Sequence, residues 1–83
     1  MKFKKGDRVR VLRKAQSQEN GWQNSWISYM DEAVGKIGRV TYISPALAHD
    51  VTVDVLPNGR IFGYPDFVLR KITPKKRVRH AQP

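Results

Sequence analysis

The segment Val51–Val55 alternates strictly between valine and a polar residue, and no other feature constrains the fold of this chain as strongly. In an extended chain its valines face one way while Thr52 and Asp54 face the other, as in a half-buried strand. Pro57-Asn58-Gly59 follows, and an Asn-Gly pair readily adopts the positive φ angles of a tight hairpin turn. The pattern predicts a strand over residues 51–56 that pairs through a hairpin with a second strand over residues 60–64.

The same period of two predicts three more short strands. In the first of them, Val9 and Val11 alternate with Arg8 and Arg10. A single 3₁₀ turn is predicted at Pro65-Asp66-Phe67, just before the last strand. The three strands are predicted over residues 7–13, 38–44 and 68–72.

The long connection between the first two strands carries a helical pattern. Large apolar side chains recur at helical spacing from Trp22 to Ala33, which predicts one or two helical turns. Asn24 or Ser25 is the expected N-terminal cap, because either side chain can accept a hydrogen bond from a free backbone N–H.

These elements together predict an all-β domain. Five short strands, a long first connection, a tight hairpin and a one-turn helix before the last strand fit a small closed barrel. Closure also removes the exposed edges that a short sheet would otherwise carry. The predicted barrel domain covers residues 1–73, and residues 74–83 form a basic tail without apolar periodicity.

Over residues 5–72 the chain contains the motifs Gly6-Asp7-Arg8-Val9-Arg10-Val11, Gly38-Arg39-Val40, Val51-Thr52-Val53, Tyr64-Pro65 and Leu69. In these motifs and their spacing it resembles the SH3-like barrel superfamily, which implies a five-stranded barrel whose long first loop carries a short helical turn. The Gly-x-Val opening of strand two is similar to the KOW element of ribosomal and transcription proteins. A further run, Trp26, Met30, Gly35 and Lys36, resembles small uncharacterised phage-encoded proteins of this type.

Two more distant resemblances concern function. The basic first strand is similar to that of the photosystem I accessory subunit, a docking protein. The Gly-Asp-Arg-Val-Arg opening and the later Tyr-Pro also resemble type II dihydrofolate reductase, whose substrate pore uses a Gln-Ile-Tyr stretch. Here Phe62 replaces that glutamine in Phe62-Gly63-Tyr64, which removes the amide that the reductase site requires.

Catalytic and metal-binding patterns are missing from the sequence. His49 and His80 are the only histidines, and neither has a second ligand at metal spacing. The adjacent Asp31 and Glu32 point apart on a helix or strand and would not share a substrate. We therefore expect no enzymatic activity, no cofactor and no metal. The lack of cysteine, of a signal peptide and of a membrane span leads us to expect a cytoplasmic protein, in the host cytoplasm if it is phage-encoded.

The formal charge of +9 is concentrated at the two ends of the chain. Residues 1–14 contribute +6 and residues 70–79 another +6, whereas residues 15–69 contribute −3. Since the first and last strands lie close together in an SH3-like barrel, we expect the two basic ends to merge into one region that neutralises phosphates. Its predicted members are Arg8, Arg10, Arg13, Lys14, Arg70 and Lys71, with Lys75, Lys76, Arg77 and Arg79 of the tail. The alternative is a solubilising surface.

Two aromatic groups are candidate contact surfaces for bases. Trp22 is the better contact candidate of the long connection, where Trp26 and Met30 are predicted to plug the core. Arg60, Phe62 and Tyr64 share one face of a strand and would suit single-stranded nucleic acid, unless Phe62 or Tyr64 belongs to the core.

The sequence predicts a non-enzymatic domain that binds DNA, RNA or a nucleoprotein with low specificity. The alternative is a protein-interaction module, such as a phage-encoded inhibitor or an accessory docking subunit, that binds an acidic protein partner. A third hypothesis is a basic pocket for a nucleotide. Lysine and arginine clusters serve both of the first two functions, so the sequence leaves them open.

Overall fold

Five antiparallel strands form a single sheet in a computed structural model that describes residues 3–55 and 60–72. The order of the strands across the sheet is β4-β3-β2-β1-β5, so β4 and β5 lie at its two edges. The predicted all-β class is confirmed, and the strand bounds differ from the predicted ones by a few residues at most. The strands are β1 (Arg8–Val11), β2 (Ile37–Ile43), β3 (Asp50–Val55), β4 (Arg60–Pro65) and β5 (Leu69–Lys71).

One face of the sheet is buried because the valines of the central strands alternate with polar residues. Val51, Val53 and Val55 of β3 are at most 2% exposed, and their cross-strand partners on β4 are Tyr64, Phe62 and Arg60. We call this the inner face. The core that covers it also includes Phe3, Val9, Val11, Ala15, Trp22, Met30, Ala33, Val40, Val68 and Leu69.

Gly38 lets β2 pass close to β3 on the inner face. A Cβ atom at this position would lie 2.5 Å from Val53 Cγ1 and 2.8 Å from the carbonyl oxygen of Asp54. Glycine is therefore the residue that this strand pair accommodates, which is a steric reason for the Gly-x-Val opening of β2. With Gly38 turned inward, its neighbour Arg39 faces outward.

The long connection contains two short 3₁₀ helices, at Glu19–Gly21 and Ser28–Ala33. The second of them lies within the stretch predicted to be helical and confirms one helical turn there, with the Met30 and Ala33 side chains buried, whereas the first lies before that stretch. The predicted cap is wrong: Ile27 occupies the N-cap position of the second helix. The Asn24 side chain is held elsewhere: its Nδ2 donates to the Asp50 carboxylate, and its Oδ1 accepts from the Ser25 backbone N–H at 2.8 Å.

A third 3₁₀ helix, Asp66–Val68, joins β4 to β5 one residue later than predicted. Its first backbone N–H donates to the carbonyl oxygen of His49 at 2.9 Å, which ties this turn to the start of β3. The predicted hairpin turn at Pro57-Asn58-Gly59 lies outside the described residues, although β3 and β4 pair antiparallel as a hairpin requires. Among residues 3–55 and 60–72, no helix has the length and apolar character needed to span a membrane.

Candidate functional site

The face of the sheet opposite the core carries the basic side chains of β1. Val9 and Val11 have no exposed surface, whereas Arg8 and Arg10 are exposed. This alternation follows directly from the period of two in an extended strand. The outward placement of Arg8 and Arg10 that the sequence predicts is confirmed, and we call this side of the sheet the outer face.

Strand register brings two more arginines next to them. Arg39 of β2 is the cross-strand partner of Arg8, and Arg70 of β5 is the partner of Arg10. Directly opposite residues in antiparallel strands have Cα atoms about 4.5–5.5 Å apart, and successive outward residues on one strand are about 6.8 Å apart. Two arginine pairs therefore stand side by side. We call these four residues, Arg8, Arg10, Arg39 and Arg70, the arginine face.

None of the four arginines has a carboxylate within ion-pair distance in the part of the chain that the structure describes, although Asp54 of β3 is the cross-strand partner of Arg39 on its other side. The guanidinium of Arg10 donates to the carbonyl oxygen of Gly35 at 2.7 Å, which holds that side chain in place but leaves its charge uncompensated. Like charges directly opposite each other destabilise a sheet. The protein thus maintains two repulsive pairs at neighbouring positions, and a bound anion would relieve that repulsion.

The remaining basic side chains predicted to join this region have acidic neighbours. Arg13 pairs with Glu19 at 3.0 Å, and Lys14 lies 3.6 Å from Asp31. Lys71 lies 3.6 Å from Asp7. Hydrogen bonds from Arg13 and from the Gln16 backbone lower the pKa of Glu19, so this carboxylate stays charged beside Arg13. Among the described members of the predicted patch, Arg8, Arg10 and Arg70 have no ion-pair partner, whereas Arg13, Lys14 and Lys71 each have one.

The predicted basic region also included four residues of the C-terminal tail. They lie outside the described residues and are Lys75, Lys76, Arg77 and Arg79. The predicted basic region did not include Arg39, because the prediction rested on the charge at the two ends of the chain. The alternation of Gly38-Arg39-Val40 could have found it, because Val40 is inward and its neighbour must face outward.

Trp22 is not a surface contact, and that prediction is wrong. Its side chain has no exposed surface, and its indole N–H donates to Asp50 Oδ1 at 2.8 Å. Asn24 Nδ2 donates to the same oxygen at 3.0 Å. A buried carboxylate with two donors thus draws the indole into the core, where burial of a large aromatic side chain is favourable. Trp22 therefore anchors the long connection to β3.

The predicted plug residues do contact the core. Met30 is 2% exposed, and Trp26 is half-buried against the core cluster. The rings of Trp26 and Tyr64 meet edge to face, with centroids 5.8 Å apart.

Arg60, Phe62 and Tyr64 share one face of β4, as the alternation predicts, but it is the inner face. Tyr64 has no exposed surface, so the core alternative holds for it, and Phe62 is half-buried, with its ring packed against the core and edge to face with Tyr64 at 6.5 Å between centroids. Arg60 is exposed at the rim of this face. Its guanidinium lies 5.1 Å from the ring centroid of Tyr29, a cation–π contact.

Burial raises the pKa of Tyr64 to about 12, from an ordinary value of 10.0. Its hydroxyl has no hydrogen-bond partner among the described residues. The unfolded chain loses this proton near pH 10 and the folded chain near pH 12, so the stability contribution is complete below pH 10 and lost as the pH rises to 12. We expect the melting temperature to fall in this window, and Tyr64→Phe to reduce the fall. An equal fall of the melting temperature with pH in Tyr64→Phe and wild type would contradict this role of the Tyr64 hydroxyl. Tyr29→Phe, at an exposed tyrosine, is the control.

No protein-family model, curated protein or solved structure gives a significant match to this chain. Its function must therefore be inferred from the side chains and their arrangement. Among the described residues, no group of histidine or acidic side chains is arranged to hold a metal ion. The arginine face is a group of four basic side chains from three strands, and none of them has an ion-pair partner among the described residues.

Proposed function

We propose that this chain is a non-enzymatic nucleic-acid-binding domain that contacts phosphates through the arginine face, with low sequence specificity. Arginine is suited to this role because its planar guanidinium forms paired hydrogen bonds to phosphate oxygens. Phosphate contacts position a nucleic acid without reading its bases, so such a surface binds many sequences.

The proposal includes an SH3-like arrangement of the sheet. Three features support it: the strand order β4-β3-β2-β1-β5, the long connection between β1 and β2, and the 3₁₀ helix between β4 and β5. The pairing of β1 with β5 is the feature that matters for binding, because it joins basic residues from the two ends of the chain.

The observation that carries the proposal is the two facing arginine pairs, Arg8 opposite Arg39 and Arg10 opposite Arg70, in which no guanidinium lies within ion-pair distance of a described carboxylate. A solubilising surface needs charge but has no need of like charges directly opposite each other, an arrangement that lowers stability. A polyanion compensates several such charges at once and releases condensed counterions as it binds. The cost in stability therefore has a functional explanation.

The proposal is tested by fluorescence anisotropy with labelled single- and double-stranded oligonucleotides across a salt series. Each phosphate contact contributes about −0.7 to −0.9 to the slope of log affinity against log salt concentration. For four arginine contacts we expect a slope of roughly −3 to −4 on the full chain.

The outcome that contradicts the proposal is the absence of binding to either oligonucleotide at low salt. Capture of partners from a lysate treated with nuclease then examines the alternative, an acidic protein partner. A protein retained after nuclease treatment, and released by salt, would support a protein-interaction module instead.

A further inference from the structure

We propose that the nucleic acid bound here is single-stranded and that the ring of Tyr42 stacks on one of its bases. This rests on the proposed function and adds a substrate class to it.

A β-bulge turns Tyr42 outward. Val40 pairs with Val53 on the inner face, but the next paired residue is Tyr42, which is opposite Thr52. The register therefore shifts at Thr41, whose hydroxyl donates to the carbonyl oxygen of Thr52 at 3.4 Å. With regular alternation, Tyr42 would follow Val40 to the inner face. The extra residue re-aims the ring to the outer face, a recognised use of bulges next to functional sites.

The ring of Tyr42 is free, unlike those of the other two tyrosines. Tyr42 is 55% exposed and makes no ring contact or side-chain hydrogen bond with any described residue. Tyr29 is similarly exposed, but the Arg60 guanidinium covers one face of its ring. Tyr64 is buried. The fold thus places one uncovered tyrosine on the surface that also carries the arginine face.

The position of Tyr42 continues a basic path across the sheet. Arg70 and Arg10 form the first pair, Arg8 and Arg39 the second, and Tyr42 follows Arg39 on β2 after the bulge. A polynucleotide backbone can follow the two arginine pairs while one base reaches the ring. Stacking on aromatic side chains is how many proteins hold single strands without reading their sequence.

On β3, Asp54 limits how far this basic path extends across the sheet. It is opposite Arg39 on β3, and its Oδ1 is buried without a hydrogen-bond partner among the described residues. A negative charge there repels phosphates, so the path is confined to β5, β1 and β2. In a duplex the bases are already paired and stacked with one another, so a duplex can use the arginines but cannot present a base face to Tyr42.

The test is the variant Tyr42→Val, which removes the ring and keeps a residue that favours strands. Its affinity and that of wild type are measured for an oligothymidylate and for a duplex of equal length, across a salt series. We expect Tyr42→Val to weaken single-strand binding about 5- to 100-fold, with an unchanged salt slope because no phosphate contact is lost. Duplex affinity should stay the same, and Tyr42→Phe should retain single-strand affinity. Tyr29→Val is the matched control and should have no effect.

Two results overturn the inference while leaving the proposed function intact. One is unchanged oligothymidylate affinity in Tyr42→Val, and the other is an equal loss of affinity for the single strand and the duplex. Both are distinct from failure of the proposed function, in which wild type binds neither oligonucleotide at low salt. Melting curves verify that the variants are folded, and an exposed position such as this one should change stability little.

Discussion

Replacing Trp22 with alanine should lower the free energy of unfolding by about 3–5 kcal/mol. The indole is fully buried, so its removal leaves a large cavity and deprives the Asp50 carboxylate of one of its two donors. Small domains are stable by only about 5–15 kcal/mol, so this is a large share of the total. Urea unfolding followed by circular dichroism measures the effect as a lower midpoint.

Two further variants separate the parts of this effect. Trp22→Phe keeps an aromatic ring in the cavity but loses the hydrogen bond to Asp50, so we expect a smaller loss than for alanine. Gly63→Ala perturbs the hydrogen bonds of the Asp50 carboxylate from β4, because a Cβ atom at residue 63 would lie 2.6 Å from both carboxylate oxygens. An unchanged unfolding midpoint in Trp22→Ala would mean that the indole lies on the surface, and would reopen its role in stacking.

Neutralising the whole arginine face should nearly abolish nucleic-acid binding. With Arg8, Arg10, Arg39 and Arg70 all replaced by glutamine, four phosphate contacts are lost, which corresponds to an affinity loss on the order of 10³-fold at 0.1 M salt. The salt slope should flatten by about 3. Anisotropy titrations of this variant beside wild type measure both quantities.

The stability of the same variant should change little. Removing two facing pairs of like charge relieves repulsion of roughly 0.2–1 kcal/mol each, and the loss of the Arg10 hydrogen bond to Gly35 and of the Arg39–Asp54 cross-strand pair offsets that gain, so the melting temperature at low salt should stay about the same. A variant that is no less stable and yet does not bind distinguishes a binding surface from a structural one.

Two double variants that lower the net charge equally test whether binding depends on where the basic side chains lie. Arg8→Gln with Arg39→Gln removes one facing pair, whereas Arg13→Gln with Lys14→Gln removes two basic groups that already have acidic neighbours. Both change the net charge by the same amount. We expect the first to weaken binding more than tenfold at 0.1 M salt and the second to have much less effect. Equal losses would show that binding follows net charge alone and would refute the arginine face as a defined site.

The strands and their buried faces could be predicted from the sequence because both depend on local order. The alternation of Val9 and Val11 with Arg8 and Arg10 requires only a period of two, and the valines of Val51–Val55 follow the same rule. The 3₁₀ turn before β5 was likewise predicted to within one residue. In each case the signal and the structure it specifies lie within a few residues of each other.

Three features depended on contacts between distant parts of the chain. The buried Trp22 side chain donates a hydrogen bond to Asp50, which lies 28 residues further along the chain. The spacing of residues within the long connection gives no information about that contact. Arg39 joins Arg8 only through the register of β1 and β2, which local alternation does not specify. Tyr42 faces outward because a bulge interrupts β2 against β3, so strict alternation places the ring on the wrong side. Local alternation is therefore enough to predict the strand segments and the buried valines of β1 and β3. The exposed tyrosine ring and the facing arginines are visible only in the folded structure, because both follow from pairing between strands.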